Sequence, residues 1–215
     1  MSKPVVREPL RRNSRSNRAR ILATARQELG RNPDTTLEEI ARAAGVVRRT
    51  VFGHFPGRAA LLEALAEEAS EALRGVAGAS DASDAPDAEE PPERALARFV
   101  LSVWPVGDRY RLLLTLARRD LGTERVAEIL APARHRATAI LDRGGSAGVF
   151  HDHLPAPVLS AALEALTLSL LESVNTGTWE DDGTRTAVAT LVAAGVPEPT
   201  ATSVVEGVAA ELRAG

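Results

Sequence analysis

Residues Thr36–Leu62 read TLEEIARAAGVVRRTVFGHFPGRAALL, and this stretch decides the fold. Thr36 and Glu39 have the spacing of a capping box, in which the Thr hydroxyl accepts from the third helical amide and the Glu reaches back to the Thr amide. A helix therefore starts at Thr36. Leu37, Ile40, Ala41 and Ala44 form its inward stripe, and Gly45 ends it. A second short helix follows from about Val47 to Phe55, with Val51 and Phe55 one turn apart on a buried face. Pro56-Gly57 breaks the chain again, and a longer helix follows from about Arg58 to Arg74. Two short helices joined by a Gly-containing turn have helix-turn-helix spacing.

That geometry assigns roles. The helix at 36–44, with Thr36 at its start, braces a phosphate backbone, and the helix at 47–55 enters the major groove. Its outer face offers Arg48, Arg49, Phe52 and Gly53 to base edges. Thr50 and His54 lie one turn apart, within reach of phosphates. Arg58 sits at the start of the next helix, where side-chain charge and helix dipole both favour a phosphate. For Arg48 and Arg49 two readings stay open: bidentate hydrogen bonds to guanine, or phosphate contact alone.

Charge supports a polyanion partner bound at one end. Residues 1–58 carry 13 Lys and Arg against 5 Asp and Glu, although the whole chain has a net charge of −3. A basic quarter on an acidic body is the electrostatic footprint of nucleic-acid binding. Residues 1–13 are polar and read as a disordered basic arm. Arg7, Arg11, Arg12, Arg15 and Arg18 would then meet phosphates or enter the minor groove.

Outward from this centre, almost every segment has helical periodicity, and alternating strand patterns are missing. The expected class is all-α, with an N-terminal three-helix helix-turn-helix domain (14–57) joined to a larger helical bundle (58–215). A first helix is expected from about Ser16 to Leu29. Residues 75–92 are acidic and Pro-rich and read as a flexible loop. Later helices are expected near 93–103, 107–119, 122–143, 156–176, 184–195 and 199–213. Pro105 should break the chain between the first two of these, and Pro132 should kink or break the third.

The stretch Leu37–Leu62 resembles the DNA-binding signature of the TetR family of regulators. That pattern has a Thr-capped helix, Ala-Gly-Val-Ser, Thr-Leu-Tyr-x-His-Phe, a basic residue and a Leu-Leu pair, and the likeness covers about residues 14–70. Val47 stands where the pattern has a capping Ser. Phe52 stands where it has a Tyr whose hydroxyl meets a phosphate. Gly53 places a side-chain-free residue inside the recognition helix, at a cost of ~1 kcal/mol relative to Ala. The resemblance implies a repressor that leaves an inverted-repeat operator when a small-molecule effector binds the larger domain and shifts the helix at 58–74.

The segment 155–176 is apolar on more than one side, so a second subunit is its natural cover. Leu159, Leu163, Leu166, Leu170 and Val174 form the stripe expected at a homodimer interface. Trp104, Tyr110, His135 and Leu166 are the candidates for lining a pocket for a small apolar effector.

Several classes find little support. The chain has no cysteine, so disulfides and thiolate metal sites are excluded. His151-Asp152-His153 has two possible metal ligands beside an acid, but no spacing marks further ones. No cofactor or metal is expected. There is no His-Glu-x-x-His, no Gly-x-Ser-x-Gly and no phosphate-binding Gly loop, which argues against an enzyme. The rival readings are a helical interaction protein with weakened DNA binding and, behind it, an all-α enzyme. No apolar run approaches the ~18 residues of a membrane span and no signal peptide is evident, so the cytoplasm is the expected location.

Overall fold

Capping chemistry sets the short helices. In the computed structural model, which describes residues 8–78 and 90–214, the Thr36 hydroxyl accepts from the Glu39 amide at 3.2 Å. The Thr36 amide donates back to the Glu39 carboxylate at 2.8 Å. This box opens α2 (Leu37–Ala43), after α1 (Glu8–Arg31). Gly45, at φ 64°, turns the chain toward α3 (Arg48–His54). The remaining helices are α4 (Arg58–Gly78), α5 (Pro92–Asp120), α6 (Thr123–Ser146), α7 (Ala156–Asn175), α8 (Thr184–Ala193) and α9 (Glu198–Ala214). Among the described residues the architecture is entirely helical, as the periodicity requires.

The chain packs as two units. Residues up to Glu68, together with Leu112–Val126, form the first. This takes in more than the stretch ending at residue 57 that the sequence delimits. Its core holds Ile21, Leu22, Leu29, Ile40, Val51 and Phe55, all buried. Burial of this kind is worth ~1.5–3 kcal/mol for each large side chain, which is how helices as short as α2 and α3 persist. Ala69–Arg111 and the residues from Ala127 on form the second unit. Its core runs through Leu96, Val100, Leu141, Leu163, Leu191 and Val205.

Three expectations change. Helix α1 starts at Glu8, not near Ser16, so residues 8–13 of the expected arm are helical, while residues 1–7 lie outside the described residues. This stretch has few apolar residues, so periodicity gave no cue. Helix α4 runs on to Gly78, into the expected loop, and α5 begins at Pro92. Residues 79–89 of that loop lie outside the described residues. Pro105 and Pro132 sit inside continuous helices. Each costs ~3 kcal/mol or more in a helix interior. Pro105 is exposed, so its ring crowds no core neighbour, and buried Leu96, Val100 and Trp104 hold the helix on the other side.

Helix α7 is also long and apolar enough to cross a membrane by length and composition alone, contrary to the count from the sequence. Leu159, Ser160, Leu163 and Leu171 are nevertheless buried within the unit, and Glu164 and Glu172 interrupt the helix's apolar surface.

Candidate functional site

Helix α3 is fixed from behind. Val51 is fully buried, and Phe55, at the C-cap, is buried beneath the guanidinium of Arg18, which lies 5.4 Å from the ring centroid. The opposite side is open. Arg48, Arg49 and Gly53 are exposed, and Thr50, Phe52 and His54 are half-buried. A basic, exposed helix face backed by a packed core is what major-groove reading requires.

Arg48 is already oriented. Its Nη2 lies 2.8 Å from the Glu38 carboxylate of α2, and its guanidinium sits 4.9 Å above the Phe52 ring. Nη2 carries one N–H on each of the two bidentate edges of a guanidinium. The ion pair holds the guanidinium on the outer side of α3, where it keeps N–H donors for a base. Phe52 thus presents its ring on the outer face and serves as a shelf for Arg48. Glu38 escaped the sequence reading because only tertiary packing brings it to Arg48.

Val47 caps α3 without a side-chain hydrogen bond and stays 69% exposed. The expected loss of the cap is therefore real, and Val47 has no compensating burial. A Cβ built on Gly53 would meet nothing within 4 Å, so the protein's own packing does not demand a glycine there.

Two of the expected DNA-contacting residues are engaged elsewhere. Thr36 spends its amide and hydroxyl on Glu39, and these bonds hold the Glu39 carboxyl below the usual carboxylate range. Arg58 donates to the Pro33 carbonyl at 2.6 Å, to the Thr35 carbonyl at 3.0 Å and to Asp120 at 3.3 Å. It ties the loop before α2 to the end of α5, a structural task that the sequence did not show. Asp120 is held below its ordinary range by Arg119 and then by Arg58.

In the second unit a largely apolar cavity lies among α5, α6 and α7. Its internal volume is about 100 Å³, below the ~300–1,000 Å³ of typical small-molecule sites, and it opens to solvent. Leu96, Phe99 and Val103 line it from α5, Leu130 and Arg134 from α6, and Leu163 and Thr167 from α7. None of the four pocket residues expected from the sequence lines it. Trp104, one residue past Val103, turns some 100° round the helix and packs on Gly183 at the start of α8, where an added Cβ would lie 2.6 Å from the indole Cγ. His135, next to Arg134, is exposed and borders a separate groove. Leu166 packs on the core, and Tyr110 is half-buried outside the cavity. Phe99 was legible as an aromatic but not as the one facing inward.

The expected dimer stripe also divides. Leu159 and Leu163 are buried within the chain's own core, and Leu166, Leu170 and Val174 are half-buried. The outward apolar face of α7 is instead Val158, Ala161, Ala162 and Ala165, with Val158 50% exposed. His151 stacks on His153, and its Nε2 lies 3.1 Å from the Ala193 carbonyl. Among the described residues, no group of three or more potential metal ligands gathers there or elsewhere.

Residues 21–65 match the family model described as bacterial regulatory proteins, tetR family. No curated protein matches the chain in sequence. Among solved structures, the chain is similar to a gamma-butyrolactone receptor (ArpA-like protein), with 19% identity, a TM-score of 0.72 and coverage of 93% of this chain and 99% of the other. It is also similar to a bacterial regulatory protein in the tetR family from Rhodococcus RHA1, with 21% identity, a TM-score of 0.66 and coverage of 84% and 98%. A third structure, RolR in complex with resorcinol, has 17% identity, a TM-score of 0.54 and coverage of 90% and 95%.

Proposed function

We propose that this chain is a tetR-family regulator, a homodimeric cytoplasmic repressor that binds an inverted-repeat operator and leaves it when a small apolar effector occupies the α5–α6–α7 cavity. The observation that carries DNA reading is the α3 face: Arg48, Arg49 and Gly53 lie outward on a helix anchored by Val51 and Phe55. Repression needs only occupancy of the operator, with no contact to polymerase.

The outward face of α7 supports the dimer. Val158, Ala161, Ala162 and Ala165 form an apolar, small-residue surface that a second copy would cover. A two-fold pair presents two equivalent α3 helices, and heads about 34–36 Å apart meet successive major grooves. Val158→Arg should give folded monomers in analytical ultracentrifugation, with operator binding weakened. A wild-type chain that is monomeric at micromolar concentration would refute the dimer.

Effector release is supported by the cavity and by similar folds, one in complex with resorcinol and one a gamma-butyrolactone receptor. The ligand must bind the released state more tightly, and coupling of this kind is typically ~5–150-fold. Operator titration with and without a bound ligand tests this, and unchanged affinity at saturation would end the effector reading.

A further inference from the structure

We propose that the α5–α6–α7 cavity selects uncharged ligands, an apolar body with a neutral hydroxyl end, and rejects carboxylates and amines of the same shape. The inference rests on the effector reading for its regulatory meaning only, because ligand selection can be measured without DNA.

The reason is the state of every polar group on the wall. Arg134 donates to Glu164 through Nε at 3.0 Å and through Nη2 at 2.8 Å, a bidentate pair of opposite charges. The pair is two-thirds or more buried at both ends, and its hydrogen bonds hold Arg134 firmly in the charged form. Among the described residues these are the only ionisable groups lining the cavity, and their charges cancel. Arg134 keeps its Nη1–Nη2 edge, but a carboxylate placed there would share one cation with Glu164, and an ammonium on Glu164 would share one anion with Arg134, so either brings a net charge into the apolar wall. Displacing either member leaves a partly buried charge without its partner.

The hydroxyls complete the selection. The Thr167 hydroxyl donates to the Leu163 carbonyl at 2.9 Å, that of Thr190 to Thr186 at 2.8 Å and that of Ser160 to Arg134 at 3.3 Å. Their protons are spent on the main chain, so these oxygens offer lone pairs to a ligand and no donor to an anion. The remaining wall is Leu, Val, Ala and Phe. An alcohol places its chain on that surface and its hydroxyl proton on one of these oxygens. A carboxylate meets acceptors.

The test uses the full chain with 1-octanol and octanoate, which share a chain length and differ in charge at neutral pH. Calorimetric titration should show wild type binding octanol more tightly by about tenfold or more. Glu164→Gln leaves the Arg134 charge uncancelled and should narrow or reverse that preference. Arg134→Leu combined with Glu164→Leu removes both charges and should keep it, which guards against a misfolded single variant. Ala137→Trp, which fills the cavity, should abolish octanol binding. The inference is overturned if octanoate binds wild type as well as octanol does, if Glu164→Gln leaves the ratio unchanged, if the double variant loses it, if Ala137→Trp still binds, or if neither probe saturates. Octanol binding with the expected preference but no change in operator affinity would instead defeat the effector reading and leave ligand selection standing.

Discussion

The two units use the same residue types for opposite ends. In the first, Gly53 lies on an exposed helix face with open space beside its Cα, whereas in the second, Gly183 is wedged against Trp104 at φ 100°. Arg48 in the first unit is largely exposed beside Glu38, whereas Arg134 in the second is two-thirds buried in a bidentate pair with Glu164. One unit is built to present groups outward and the other to cancel them inward. A substitution that is harmless or helpful in one setting should be damaging in the other.

The glycines give the largest and the most sharply opposed effects. Gly183→Ala forces a left-handed backbone on an L-residue and drives its Cβ to 2.6 Å from the indole. A loss of roughly 2–4 kcal/mol follows, from strain together with overpacking. Thermal unfolding should show it, with the loss confined to the second unit when hydrogen exchange is mapped.

Arg58→Ala comes next. Three hydrogen bonds vanish, two of them to loop carbonyls, at an expected cost of about 1–3 kcal/mol of stability. The salt dependence of DNA binding should keep its slope. If Arg58 met phosphates instead, the slope would fall by about 1 per contact with little change in melting.

Gly53→Ala should go the other way. It adds helix propensity worth up to ~1 kcal/mol, and its Cβ meets no protein atom within 4 Å. A higher melting temperature with weaker operator binding would mean that DNA approaches the helix at this point. A higher melting temperature with unchanged binding would mean that the glycine serves neither partner.

The smallest effect expected is at Phe52. The ring lies on the outer face under Arg48, so Phe52→Tyr should keep the shelf and add a hydroxyl near the DNA edge. Hydrogen bonds to charged groups are worth ~1.5–3 kcal/mol before local losses, so several-fold tighter operator binding is expected. A lower melting temperature without tighter binding would place the hydroxyl in the protein.

The same contrast explains what the sequence revealed. The Thr36–Glu39 box and the Val51–Phe55 pair are local signals, within four residues, and both appear as read. The internal bonds of Arg58 were not legible because Asp120, 62 residues away, has no sequence cue to pair it. Pro105 and Pro132 read as breaks because the packing that overrides them is tertiary. The cavity was partly legible. Leu96, Phe99 and Val103 recur at helical spacing, and Glu164 is one of only two charges in α7, yet which stripe faced inward depended on neighbours the sequence does not order. The burial of Leu159 and Leu163 in the chain's own core was hidden for the same reason: an all-apolar helix does not announce which of its faces the chain itself covers.

Selection of bound fragments from bacterial genomic DNA tests the central claim most directly, run in parallel with wild type and with Arg48→Ala combined with Arg49→Ala. Wild type should enrich an approximate inverted repeat whose half-site centres lie about one helical turn apart, with affinity falling steeply as salt rises. The double variant should lose that enrichment while remaining folded. Equal enrichment by both proteins, or no sequence enriched by wild type, would contradict DNA reading through α3.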